Sequence, residues 1–222
     1  MKLIISILLS LSFLNAINSS QLLVVTTKNW STSSGTLKRY IYLHKKWQKV
    51  GETISIKVGR NGLGWGIGLH KIPKSTKYIK YEGDGKAPAG IFRLKNGFGY
   101  SKFNIKYPYR VYSKYNHCVD DSNSKYYNKI VNSHKVKKDY KSFEYMRFKK
   151  NFYKYGIVVD HNPKALKGRG SCIFLHIKSV PTAGCTVMRE DEIKEILKWL
   201  DKSKNPLLIQ APKSVIKSLL PF

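Results

Sequence analysis

The sequence predicts a mainly β fold with one well-marked helix, and three observations carry that expectation. Short runs rich in β-branched and aromatic residues recur between clusters of Gly, Pro, Asn and Ser. Only the segment around residues 190–200 carries apolar residues at helical spacing. Hydrophobic residues make up 42% of the 222-residue chain, enough for a real core in about one domain bearing an insertion.

The elements follow in order. Met1-Lys2 precedes an apolar run from Leu3 to Leu14 broken only by serines, and small and polar residues follow to Ser20. This is the layout of a secretory signal over residues 1–19. The run is short for a membrane span, which needs ~20 apolar residues. An uncleaved anchor is the alternative reading, and no cysteine near the end of the segment suggests a lipid anchor. Gln21–Thr27 reads as a strand, Ser31–Gly35 as a turn and Leu37–Leu43 as the returning strand. Trp47–Val50 and Thr53–Val58 read as two more short strands. The glycine-rich run Gly59–Gly68 lacks the Gly-Lys-Ser/Thr ending of a phosphate loop and reads as a plain loop. Gly83-Asp84-Gly85-Lys86-Ala87-Pro88-Ala89-Gly90 reads as a turn entering a strand, in which Asp84 and Lys86 shape the turn.

Residues 100–150 are rich in Tyr and Lys and read as a long, mostly irregular insertion of the kind that covers a site, with a short helical turn near 142–149. Tyr155–Asp160 and Ser171–His176 read as buried strands, with Cys172 an inert core thiol by default and His161 in a surface loop between them. Ile193, Ile196, Leu197 and Leu200 form one helical face, with Glu190, Asp191 and Glu192 in the first turn, where acids favour the dipole. Asn205-Pro206 ends that helix, and Leu207–Gln210 is a final strand.

Net charge is +28, from 41 Lys+Arg against 13 Asp+Glu. Such a balance points to an anionic polymer or surface. Export makes nucleic acid a poor working partner, and the chain shows no aromatic–basic RNA motif or helix-turn-helix pattern. An anionic cell envelope fits better, although lysines spread through the whole chain also fit compositional drift. The three cysteines, Cys118, Cys172 and Cys185, leave at least one free thiol or an intermolecular pair. Cys118 and Cys172 could pair if Cys185 stays free, but connectivity is not readable from spacing. With no CxxC pair, zinc and thioredoxin-like readings are weak.

Cys185 closes the segment Pro181-Thr182-Ala183-Gly184-Cys185, nine residues after His176. A thiol attacks a carbonyl as thiolate, and an imidazole within reach takes its proton. Backbone amides of the turn at Gly184 could stabilise an oxyanion. On these residues alone, an acyl-transfer site and a buried thiol both stay open.

The wider sequence resembles the L,D-transpeptidase catalytic domain (YkuD) family from Gln21 to about Met188, and a secreted branch of it in particular. The resemblance is carried by His176 with Thr182-Ala183-Gly184-Cys185, by Gly83–Phe92, by Cys118-Val119-Asp120-Asp121 with Tyr126-Tyr127-Asn128, and by Gly170–His176. It implies a sandwich of mixed sheets, with the catalytic domain over 20–222 and the insertion at about 100–150. It implies an exported cysteine acyltransferase of the periplasm or cell exterior, acting on peptidoglycan stem peptides. Cys185 would be the nucleophile, His176 the acid–base and Gly184 part of an oxyanion hole. Thr182 and Arg189 are candidate substrate contacts, as are Asp120, Asp121 and Tyr127 of the insertion, for which a purely structural use is the open alternative. No metal or organic cofactor is implied, and no membrane anchor is expected after signal cleavage.

The chain departs from the commonest family motif in three places. Ala183 stands where a second histidine is usual, Val187 where an arginine is common and Ile177 where a glycine is common. These departures leave nucleophile and base in place and bear on acceptor choice and substrate contacts. Hydrolysis, as an L,D-carboxypeptidase or an amidase cutting stem-peptide or protein–peptidoglycan links, is the same-class alternative. A non-catalytic basic wall-binding module is the alternative from another class.

Overall fold

The structure, a computed structural model, describes residues 18–147 and 149–222. The expected secretory signal lies, up to residue 17, outside the described residues. Among the described residues the regular structure comprises thirteen strands, two α-helices and two short 3-10 helices. The strands are β1 (Gln21–Thr27), β2 (Ser34–Leu43), β3 (Lys46–Lys57), β4 (Leu63–Trp65), β5 (Ala87–Gly99), β6 (Tyr109–Val111) and β7 (Asn116–Val119). They continue as β8 (Ile130–Asn132), β9 (Phe143–Tyr145), β10 (Tyr155–Val159), β11 (Phe174–Ile177), β12 (Thr186–Met188) and β13 (Leu207–Pro212). The helices are α1 (Glu190–Trp199) and α2 (Lys213–Leu219).

The mainly β, mixed-sheet expectation holds. The sheet runs β10-β11-β12-β3-β2-β1-β13-β5-β4, and β10 also pairs with β5. Eight strands therefore close into a hydrogen-bonded ring, with β4 and β6 attached to β5. The β1–β13 and β11–β12 pairs are parallel, while β1–β2, β2–β3 and β13–β5 are antiparallel. β1 and β13 are buried along nearly their whole length, which explains their near-continuous apolar sequences. The main core gathers Leu23, Val25, Leu37, Ile56, Phe92, Leu175 and Leu208 with Ile193, Ile196 and Leu197 of α1.

The helix after the thiol turn is α1, as its spacing predicts. The Arg189 amide donates to Glu192 Oε2 at 2.9 Å, so the first turn is capped from its own third residue. The C-terminal helix α2 was not anticipated, because its short apolar set, Ile216 and Leu219 buried, covers barely two turns.

Several local expectations are corrected. Trp47–Val50 and Thr53–Lys57 are one strand, β3, because both pair with β2 across an irregularity between Leu37 and Arg39, and Val58 lies just beyond its end. Residues 143–145 form a strand and not a helical turn, since β9 pairs with β7. The insertion is built around the three-stranded sheet β8-β7-β9. Its aromatic side chains stack upon one another, with the His117 ring 3.9 Å from that of Phe143. His161 is 2% exposed and not a surface residue. Its Nδ1 accepts the Ile67 amide and its Nε2 faces the Arg169 carbonyl at 2.9 Å. Cys172 is neither a strand residue nor a free thiol: its φ is 54°, and it is disulfide-bonded to Cys118.

Candidate active site

A strand's period of two sets the site. Leu175 of β11 points into the main core, so Phe174 and His176 point to the other side. There a second cluster of Phe98, Tyr153, Cys172, Phe174 and Cys185 fills the space toward the insertion. β12 lies parallel to β11, with Leu175 opposite Thr186, and that register brings Cys185 to the same region as His176.

The turn before Cys185 is fixed by Thr182. Its hydroxyl donates to the Cys185 carbonyl at 2.6 Å and accepts the Gly184 amide at 3.1 Å. The Thr182 backbone bonds Val58 and Arg60, which ties the turn to the end of β3. A Cβ at Gly184 would stand 3.2 Å from the Lys86 carbonyl, so the close packing of two backbones favours glycine there. The Gly184 amide is thus already committed to Thr182, and the expectation that it completes an oxyanion hole does not fit this geometry.

Cys185 and His176 line one cavity of about 470 Å³. A larger cavity of about 640 Å³, between Tyr100, Tyr115 and Arg147, contains neither. The Cys185 sulfur accepts the Phe174 amide at 3.3 Å and donates to the Cys172 carbonyl at 3.5 Å. His176 Nδ1 faces two carbonyls, Ile177 at 3.2 Å and Phe152 at 3.3 Å. Carbonyls only accept, so Nδ1 carries the hydrogen and Nε2 keeps the lone pair. The Tyr153 ring packs edge-on against the imidazole, with centroids 4.8 Å apart.

Both groups are neutral at rest. Burial pushes the Cys185 thiol well above its ordinary range, and Glu144 adds to the push. The Phe174 amide, Lys80 and Lys178 oppose it. Burial lowers His176 to about 4. No hydrogen bond joins the two side chains among the described residues, a separation common before substrate arrives.

Three of the chain's 13 acidic residues, Glu82, Asp120 and Glu144, line this cavity. Glu82 accepts the Tyr127 hydroxyl at 2.5 Å and the Ser171 hydroxyl at 2.6 Å. Glu144 accepts a short hydrogen bond from Tyr153, and burial raises its carboxyl to about 7.

The structure brings Cys185, His176, Thr182, Gly184 and Asp120 together around the cavity. It leaves three expected contacts outside. Arg189 is exposed and paired with Asp191 at 2.9 Å, because it caps α1. Asp121 holds the Lys141 and Asn123 amides within the insertion. Tyr127 stands one residue back, behind Glu82. Asp84 shapes its turn as expected, accepting the Tyr81 and Lys86 amides and pairing with Lys80 at 2.6 Å. Sequence reasoning missed Glu82, Glu144 and Tyr153. The available signal was that Glu144 is the only glutamate between residues 100 and 150. Among the described residues, no group of three or more His, Cys, Asp or Glu side chains is arranged to hold a metal ion.

The model of the YkuD family, described as L,D-transpeptidase catalytic domain, matches residues 34–209. No curated protein matches the chain. Two solved structures are similar at low identity. Bd1075 of Bdellovibrio bacteriovorus is 14% identical, with a TM-score of 0.44 over 88% of this chain and 49% of its own. The helical cell shape determining protein Pgp2 of Campylobacter jejuni is 14% identical, with a TM-score of 0.43 over 92% of this chain and 55% of its own. The chain thus spans about half the length of these structures.

Proposed function

We propose that this chain, which belongs to the L,D-transpeptidase catalytic domain family, is an exported cysteine acyltransferase forming L,D cross-links in peptidoglycan. In this reading residues 1–19 are its export signal and 20–222 its catalytic domain. The supporting observation is the joint placement of Cys185 and His176 on one cavity, with the imidazole's Nε2 left as base.

The Cys185 sulfur attacks the carbonyl at the L-centre of a stem-peptide diamino acid, and its proton passes to His176 Nε2. A carbon–sulfur bond forms, the carbon–nitrogen bond to D-Ala breaks, and His176 returns the proton to the departing amine. An amine of a second stem then takes the acyl group and completes the cross-link; water in its place gives the carboxypeptidase reaction. With the Gly184 amide committed to Thr182, the amide of Cys185 itself is the proposed oxyanion donor. Glu82 and Asp120 give the cavity an acidic lining suited to the cationic amines of both stems.

The test is to incubate the purified mature protein with tetrapeptide-containing muropeptides. D-Ala is expected from wild type and not from Cys185→Ala. Cross-linked dimers indicate transfer to an amine, and tripeptide monomers indicate hydrolysis. If both proteins bind sacculi equally and neither alters the muropeptides, the chain is a wall-binding module and the enzymatic reading fails.

A further inference from the structure

The Cys118–Cys172 disulfide joins two segments that both contribute to the cavity wall. Cys118 lies on β7 of the insertion sheet, directly opposite Glu144 of β9. Cys172 lies on the loop before β11, and its carbonyl accepts the Cys185 thiol hydrogen at 3.5 Å. Two residues later the Phe174 amide donates to the same sulfur at 3.3 Å. The segment 172–174 therefore supplies both hydrogen-bond partners of the nucleophile.

That segment is held in an unfavourable conformation. Cys172 has a φ of 54°, a left-handed value that a residue with a Cβ adopts only when its surroundings impose it. Two restraints impose it. One is the disulfide. The other is Asn128, whose Oδ1 accepts the Cys172 amide at 3.0 Å while its Nδ2 donates to the His161 and Asn162 carbonyls. Both half-cystines are buried, at 2% and 4% exposure, so the bond braces the interior of the site.

We propose that the Cys118–Cys172 disulfide is a redox-sensitive clamp that positions Cys185. Oxidised, it fixes the sulfur's two partners and the Glu144 wall; reduced, it releases both. The proposal rests on Cys185 being the acylated nucleophile. Reduction by a dithiol breaks the one S–S bond, the dithiol becomes a cyclic disulfide, and its two hydrogens end on Cys118 and Cys172. Cys185 takes no part in that exchange. A reductant that ordinarily protects a thiol enzyme therefore slows this one.

The experiment compares oxidised wild type with Cys118→Ser/Cys172→Ser, in which Cys185 is the sole thiol. Iodoacetamide alkylation of Cys185 is followed by intact mass, and D-Ala release is resolved into kcat and KM. The expected result is an opposed pair of changes: alkylation about tenfold faster as the wall loosens, and kcat roughly 10- to 100-fold lower as the sulfur loses its placement. Dithiothreitol treatment of wild type reproduces the loss of turnover. A disulfide that only adds stability lowers the melting temperature and leaves both rates of the folded protein unchanged, and that result overturns the proposal. Should the double variant not fold, dithiothreitol-reduced wild type takes its place, with alkylation read on the Cys185 peptide alone. It gives the same opposed pair if the clamp is real and the rates of the oxidised protein if it is not. If oxidised wild type releases no D-Ala, the proposed function fails, and the alkylation rates alone still decide the clamp.

Discussion

At the scale of single residues, the proposed chemistry turns on two neutral partners and one buried carboxyl. In that mechanism His176 accepts the thiol proton only when unprotonated, and burial holds it at about 4. The acid limb of the D-Ala release profile is therefore expected near pH 4 and not near the ordinary histidine value of ~6.5. Glu144, raised to about 7, is largely neutral at mildly acidic pH. Above pH 7 its carboxylate faces Cys185 and pushes the thiol further up. Activity is thus expected to decline through neutral pH, giving an optimum between about 4 and 7. Glu144→Gln removes the alkaline decline and raises the rate at pH 8 by roughly 3- to 10-fold. A Glu144→Gln profile that coincides with wild type would show that the carboxyl does not govern the thiol.

At the scale of elements, α1 supports the strands that carry the site. Its apolar face packs on β10 and β11, and Leu197 is fully buried. Leu197→Ala leaves a cavity there and is expected to cost about 2–5 kcal/mol in denaturant unfolding, with specific activity preserved in the folded fraction. A loss below 1 kcal/mol would mean that the face collapses around the deletion. This helix was legible in the sequence because Ile193, Ile196, Leu197 and Leu200 repeat at one period over eight residues. The strand carrying His176 was legible in part, although it runs Phe174–Ile177 and not Ser171–His176, and the turn ending in Cys185 was legible from its small residues. The insertion was not. Strands of three and four residues carry too little alternation to register, and β7 meets β9 across some 25 residues. Glu144 is placed by that long-range pairing, Tyr153 by a three-residue 3-10 turn and the left-handed Cys172 by its disulfide and Asn128, so no local pattern announces them. Arg189 misled for a complementary reason: it stands two residues beyond Val187, where the family's arginine is common, while the start of α1 turns its side chain outward to Asp191.

At the scale of the whole molecule, a strongly basic chain surrounds an acid-lined cavity. Net charge is +28, and no helix among the described residues is long and apolar enough to cross a membrane. Glu82 and Asp120 bring acidic side chains to the cavity where chemistry is proposed, against the basic balance of the chain. The same balance governs stability in acid. Burial lowers His70 and His176 to about 4 and His161 to about 3, so all three stay neutral in the folded protein. Below the unfolded value of ~6.5 the unfolded chain binds protons that the folded chain refuses, so stability falls as pH drops from about 6.5 toward 4. Each histidine contributes on the order of 2–3 kcal/mol to that loss by pH 4. Glu144 acts with the opposite sign, because its folded value of about 7 exceeds its unfolded one and it binds its proton more tightly when folded. One such carboxyl offsets about one of the three histidines, and mutual repulsion of the 41 Lys+Arg grows as other acids protonate. The melting temperature is therefore expected to fall by roughly 10–20 °C between pH 7 and pH 4. Part of that fall should return at high salt, which screens the surface charge and leaves the buried histidines untouched. A melting temperature that stays level across this range would mean that the histidines take up protons without unfolding, and that the site opens to water more readily than its packing implies.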